Sequence, residues 1–336
     1  MQGRADTRTP EVESAWRFSA LNWALGGAMV AALAVSLALT DFSLALPGLA
    51  VAAGYIAVYG GFAHANARSP RRRDPQVMFI LAPMAQIVLF AAAMTPLTYV
   101  AAAINVPIQD ANLLALDRAL GLDFAAFARY VDDRPLTAIW LGIGYNMIRW
   151  PVTAIPVVLA AIGRFRRIEE FVFAFGLSLV VTTIISGLVP AIGAYQQIGL
   201  DPATLKHLDP GGYFQQLHDL PPARDGTLRH LDLLGLAGIV TFPSFHAASA
   251  VLYAWALWPS RLFRPIGLIA NGAMLIATPV VGGHYFVDVF AGIAAAVAAI
   301  MVARAVGKRI AGPQADAVAT APIVSTSAAA ALAPAE

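Results

Sequence analysis

The sequence predicts an all-α fold, a polytopic membrane helical bundle of about eight transmembrane helices with further interfacial helices on its outer face. Three observations predict it. Of the 336 residues, 59% are hydrophobic and only 12% are charged, against about a quarter charged in an ordinary soluble domain, and the mean hydropathy is +0.68. The apolar residues run in blocks of at least ~18, enough to cross a hydrocarbon core ~30 Å thick. The connectors between blocks alternate between arginine-rich and acidic, which the positive-inside rule reads as alternating sides of a membrane.

Residues 1–17, MQGRADTRTPEVESAWR, are polar throughout and lack the apolar core of a cleavable signal. They read as a cytoplasmic N-terminal segment, and insertion rests on the first span. Apolar blocks follow at 18–40, 43–65, 76–103, 136–162, 170–192, 244–260, 265–281 and 284–305, giving a transmembrane domain over 18–310. Arg4, Arg8 and Arg17 precede the first block; Arg68, Arg71, Arg72 and Arg73 follow the second; Arg164, Arg166 and Arg167 follow the fourth. Arg261 and Arg264 follow the sixth, and Arg304, Lys308 and Arg309 close the eighth. These connectors share one side, the cytoplasmic one, so both ends of the chain are expected there. The expected location is the bacterial inner (plasma) membrane.

The opposite connectors are longer and acidic. In residues 110–133, DANLLALDRALGLDFAAFARYVDD, the residues Leu113, Leu114, Leu116, Leu120, Phe124 and Phe127 recur at near-helical spacing, which predicts one or two amphipathic helices on the outer interface. Residues 194–240 hold Pro202, Pro210, Gly211, Gly212, Pro221 and Pro222, too many breakers for a regular element, and read as a lid or headgroup-binding loop. The tail 311–336 is mostly alanine, proline, serine and threonine; it cannot offset the entropy of ordering and is expected to be a disordered cytoplasmic segment. The chain has no cysteine, which rules out thiolate chemistry and disulfides, and nothing indicates a nucleic-acid partner.

Among the ionisable residues inside the blocks are Arg149, His284 and Asp288, and each costs at least ~2.5 kcal/mol at a helix centre on insertion scales. His284 and Asp288 are one helical turn apart, so a carboxylate can fix the imidazole tautomer and leave the other nitrogen as base or nucleophile. A buried aspartate simply satisfied by its histidine is the competing reading. In TFPSFHAASA, residues 241–250, Ser244 stands at the start of an apolar block and His246 in its first turn. A capping serine with free amides at a helix N-terminus makes an anion site, although such a string also serves as a plain helix cap. The eight-span topology brings His246 and His284 to the same membrane surface.

The strings FPSFH and GGHYFVD resemble the second and third signature motifs of the type 2 phosphatidic acid phosphatase superfamily, in the branch containing inositol phosphorylceramide synthase. Weaker similarity runs through LDRALGLDF, YNM at 145–147 and GLVPAIGAY at 187–195, so the resemblance covers about residues 110–306. It implies a lipid phosphatase or phosphotransferase in which His284 takes the phosphoryl group, Asp288 orients it, His246 protonates the leaving oxygen and Ser244 holds phosphate oxygens. It also implies a phospholipid or lipid phosphate substrate, a ceramide-like or other lipid alcohol as acceptor, and transfer of a phosphoinositol-type headgroup. No cofactor is implied and the superfamily is metal-independent, although two histidines and an aspartate could also ligate a metal.

One departure concerns the cationic clamp of the classical members: six residues before His284 stands Thr278, and no lysine-rich motif precedes FPSFH. Arg149 is the leading replacement, against a reading in which it snorkels to a membrane surface; Arg229 and His230 are weaker candidates. Tyr195 and Tyr145 are placed to touch a headgroup. A transporter with an outer-face His/Asp relay is the alternative from another class, disfavoured because the histidines cluster at one face and no paired broken helices are visible. A catalytically dead scaffold is the third reading.

Overall fold

A computed structural model describes residues 9–69 and 73–320. Arg4, Arg8, Arg71, Arg72 and residues 321–336 of the expected tail lie outside the described residues. The described chain is almost wholly helical: α1 Pro10–Leu39, α2 Leu46–Arg68, α3 Pro75–Ala103, α4 Asp110–Ala119, α5 Phe124–Asp132, α6 Pro135–Asn146, α7 Trp150–Ala161, α8 Phe165–Leu188, α9 Ala194–Ile198, α10 Gly211–Asp225, α11 Phe245–Leu257, α12 Phe263–Gly282 and α13 Phe286–Thr320. Side chains open several of these helices by accepting otherwise orphaned amides. Asp74 accepts the Gln76 amide at 2.8 Å, Asp123 that of Ala126 at 3.0 Å and Ser244 that of Ala247 at 3.3 Å.

Among the described residues six helices, α1, α2, α3, α8, α12 and α13, are long and apolar enough to cross a membrane, and the chain is an integral membrane protein of the all-α class. The two remaining candidate spans differ from expectation. The block 136–162 is interrupted: α6 ends at Asn146, a short 3₁₀ turn covers Met147–Arg149, and α7 starts at Trp150 with proline in its first turn, a position where the missing N–H costs nothing. The block 244–260 is the 13-residue α11, roughly 20 Å long and short of the ~30 Å core on its own.

α3 is the hub, with α1, α2 and α8 packed around it. Phe79, Phe90, Phe171, Ile155 and Leu159 are fully enclosed in the main core. A polar seam crosses it: the Gln86 amide donates to the Ser19 carbonyl at 3.1 Å, and Asn22 donates to the Glu169 carboxylate at 2.8 Å.

Helix directions sort the connectors into two ends of the bundle. One end gathers α4, α5, α9, α10 and the starts of α11 and α13; there the β1 pair Ser43–Leu44 lies parallel to β2, His230–Leu231, fastening the α1–α2 connector to the long loop. At the other end α13 passes the start of α8, where a Cβ on Gly307 would lie 2.5 Å from Glu170 Oε1. That end carries Arg68, Arg73, Arg164, Arg261 and Arg264, and Arg166 and Arg167 lie 3.5 Å and 3.8 Å from the Glu170 carboxylate.

Helices α4 and α5 occur where amphipathic helices are expected, with Leu113, Leu114 and Phe124 buried and Leu116 and Leu120 exposed. Residues 194–240 are more regular than their breakers suggest. The 15-residue α10 contains Pro221 and Pro222 near its end, and it forms because Tyr213, Gln216, Leu220 and Ala223 bury one face, tertiary packing that outweighs propensity. The first helix starts at Pro10, inside the segment expected to precede the span, and α13 runs through Thr320, past the boundary expected at 310.

Candidate active site

His284 lies in the three-residue break between α12 and α13, which turns on Gly283 at φ +70°, a left-handed conformation that favours glycine. In the first turn of α13, Asp288 places Oδ2 3.2 Å from His284 Nδ1 and accepts the Tyr285 amide at 2.9 Å. Asp288 is fully enclosed and His284 is 5% exposed. A hydrogen on Nδ1 directed at the carboxylate leaves the Nε2 lone pair available.

Nε2 faces Ser244 Oγ at 3.4 Å. Ser244 caps α11, and its own amide donates to the Asp288 carbonyl at 3.0 Å, so the starts of α11 and α13 are bound to each other through the backbone. The approach depends on Gly292, where a Cβ would stand 2.3 Å from the Ser244 carbonyl oxygen. His246, in the first turn of α11, stacks on Tyr145 with ring centroids 4.0 Å apart and planes at 10°. Arg149 and His284 both lie within electrostatic reach of His246.

These groups share a cavity of about 360 Å³, into which Tyr145, Arg149, His246 and His284 project with Gln215, Gln216 and Thr241. Arg149 reaches it from the 3₁₀ turn between α6 and α7 and not from a continuous helix. Gly212 lets α10 close over the cavity; a Cβ there would lie 2.3 Å from the Tyr145 hydroxyl. The cavity thus joins a polarised imidazole, a second imidazole, a guanidinium and a helix N-terminus. Among the described residues no three His, Asp or Glu side chains gather as a metal site.

Tyr195 is elsewhere. Its ring is enclosed edge-on against Phe124 at 4.9 Å, and its hydroxyl donates to the Val280 carbonyl at 2.7 Å. Thr278 is buried and donates to the Met274 carbonyl at 2.7 Å, so no cation stands at its position. Arg229 packs over Phe42 and donates to the Ala223 carbonyl, and His230 pairs with Ser43; neither lines the cavity.

Two carboxylates that the sequence showed only as charges of an acidic connector support the site from α4. Asp117 accepts the Phe286 and Val287 amides, both at 2.9 Å, and so caps the helix that carries Asp288. Burial raises its carboxyl above the usual range while those two amides pull it down. Asp110 accepts the Tyr285 hydroxyl at 2.8 Å and the Ile192 and Gly193 amides at 2.9 Å and 2.8 Å. Their seven-residue spacing puts both on one helix face beside Leu113 and Leu114, a signal that they point inward.

The family model described as PAP2 superfamily matches residues 111–302, close to the stretch marked out by the sequence motifs. No curated protein and no solved structure matches the chain.

Proposed function

Because the chain belongs to the PAP2 superfamily, a family of phosphatase-type lipid enzymes, we propose that it is a membrane lipid phosphatase or phosphotransferase working through a phosphohistidine at His284. The observation that carries this reading is the polarised imidazole: Nδ1 against Asp288 at 3.2 Å, with Nε2 turned to Ser244 beside Arg149 and His246 in one cavity.

In the first step His284 Nε2 attacks phosphorus, the bond from phosphorus to the lipid oxygen breaks, and protonated His246 gives its proton to the departing alkoxide. Asp288 stabilises the charge that develops on the ring. Ser244, released from Nε2 once phosphorus is bound there, is free to donate to a phosphate oxygen. Arg149 and the amides at the start of α11 supply the remaining clamp. In the second step His246 takes a proton from water or an alcohol, the resulting nucleophile attacks phosphorus, and the N–P bond breaks.

Water as acceptor gives hydrolysis and a lipid alcohol gives transfer. The likeness of FPSFH and GGHYFVD to the inositol phosphorylceramide synthase branch favours transfer of a phosphoinositol-type headgroup to a ceramide-like or other lipid alcohol. An extracytoplasmic site is supported by its position at the end of the bundle opposite the arginine-rich connectors, under the positive-inside rule. The test is incubation of purified protein with labelled phospholipids, with and without ceramide or other alcohols. Free phosphate, a phosphorylated headgroup or a new phospholipid supports the reading; absence of all three contradicts it.

A further inference from the structure

A second cavity, of about 540 Å³, lies between α1 and α2. The two helices follow one another in the chain and both pack on α3, but they leave a wedge between them. Its walls are Trp16 and Trp23 of α1 and Ile56 and Gly61 of α2, and its floor is Met78 and Ala82 of α3. It belongs to the arginine-rich end of the bundle, and all these residues precede the segment 111–302 matched by the family model. It shares no lining residue with the cavity that holds His284.

The wedge has the size of a small-ligand site and walls suited to a hydrocarbon chain. Its mouth is cationic. The Arg73 guanidinium rests over the Trp16 ring at 5.6 Å, Arg68 ends α2, and His64 lines the opening. Among the described residues neither arginine has a carboxylate within ion-pairing distance. A guanidinium stacked on an indole keeps its in-plane N–H donors free for an oxyanion. A second copy of the chain would bring further arginines to this rim, and residues 321–336 are mostly small; neither complements both the charge and the apolar walls.

We propose that the wedge binds one anionic phospholipid, with an acyl chain between α1 and α2 and its phosphate on Arg73 and Arg68. Basic residues at the ends of spanning helices recognise anionic headgroups by the same electrostatics.

The test is native mass spectrometry of the purified full-length protein after exchange into equal phosphatidylglycerol and phosphatidylcholine. One phosphatidylglycerol is expected to persist through delipidation. Gly61→Leu projects into the wedge from a position where a Cβ meets nothing within 4 Å; it is expected to reduce retention by about tenfold or more at unchanged Tm. Arg73→Gln is expected to bring the two lipids to near-equal retention. Wild-type retention by Gly61→Leu, equal retention of both lipids by the native chain, or retention that rises on removal of residues 321–336 would each overturn the proposal. Should Gly61→Leu not fold, brominated phosphatidylglycerol is added at low fraction to phosphatidylcholine vesicles. It is expected to quench the native chain more than brominated phosphatidylcholine does, an excess lost in Trp16→Phe/Trp23→Phe; equal quenching by the two overturns the proposal.

Discussion

Asp288 holds one carboxylate oxygen 3.2 Å from Nδ1 of His284 while its other oxygen, Oδ1, is buried without a hydrogen-bond partner among the described residues. The carboxylate is spent on one ring nitrogen and on the Tyr285 amide beside it. This geometry fixes which nitrogen of His284 is left to react.

Asp288→Asn separates charge and tautomer control from shape. The amide still fits, but its NH₂ group turned toward Nδ1 favours the tautomer with the hydrogen on Nε2, where the nucleophilic lone pair should be. Turnover is expected to fall roughly a thousandfold or more with KM little changed, and thermal unfolding should confirm an intact fold.

His246→Gln removes the proposed acid. With an alkyl lipid leaving group, turnover is expected to fall by about 10²- to 10⁴-fold. With a nitrophenyl phosphate ester, whose leaving group needs no proton, most of the first-step rate should return. A burst of nitrophenolate measures this step directly; equal losses on both substrates would argue against the role.

Asp117→Ala orphans the Phe286 and Val287 amides at the head of α13. The expected cost is about 1–3 kcal/mol per unsatisfied amide, read as a lower Tm, together with reduced kcat from a displaced Asp288. Asp117→Asn, which keeps an acceptor, should retain more of both.

Outside the spans, the Asp132 carboxylate accepts the Lys206, His207 and Leu208 amides at 2.7–3.0 Å. Burial alone would raise this carboxyl, but the three amides outweigh it and hold the carboxyl below the usual range. A depressed folded-state value means the stabilisation is complete above the unfolded carboxyl pKa of about 4 and is lost as pH falls through the lower folded value. Tm should be flat above about pH 4 and decline below it in the native chain, whereas Asp132→Asn should be less stable at neutral pH and lack that decline.

The spanning helices were legible because hydropathy and arginine placement are properties of composition along the chain. Ser244, His246, His284 and Asp288 were legible as two short strings, and the fold brings His246 and His284 to one cavity with Ser244 and Asp288 against the His284 ring. Arg149 was legible as an unexplained cation, but the 3₁₀ turn that aims it was not read, although Pro151 just after it is a helix-start signal. Asp110 and Asp117 were legible only as charges of an acidic connector, since their partners lie about 80 to 175 residues away, and such pairings leave no local pattern. Tyr195 looked available for a headgroup, yet its hydroxyl is held by the Val280 carbonyl, a contact made only on folding.

The most direct test of the central claim is to trap the intermediate. The protein is mixed briefly with a phospholipid labelled in its phosphate, quenched in alkali, and mapped by peptide mass spectrometry. The account predicts acid-labile, alkali-stable label on the nitrogen of His284, absent in His284→Ala together with turnover. Full turnover by His284→Ala, or label on another residue, would contradict it.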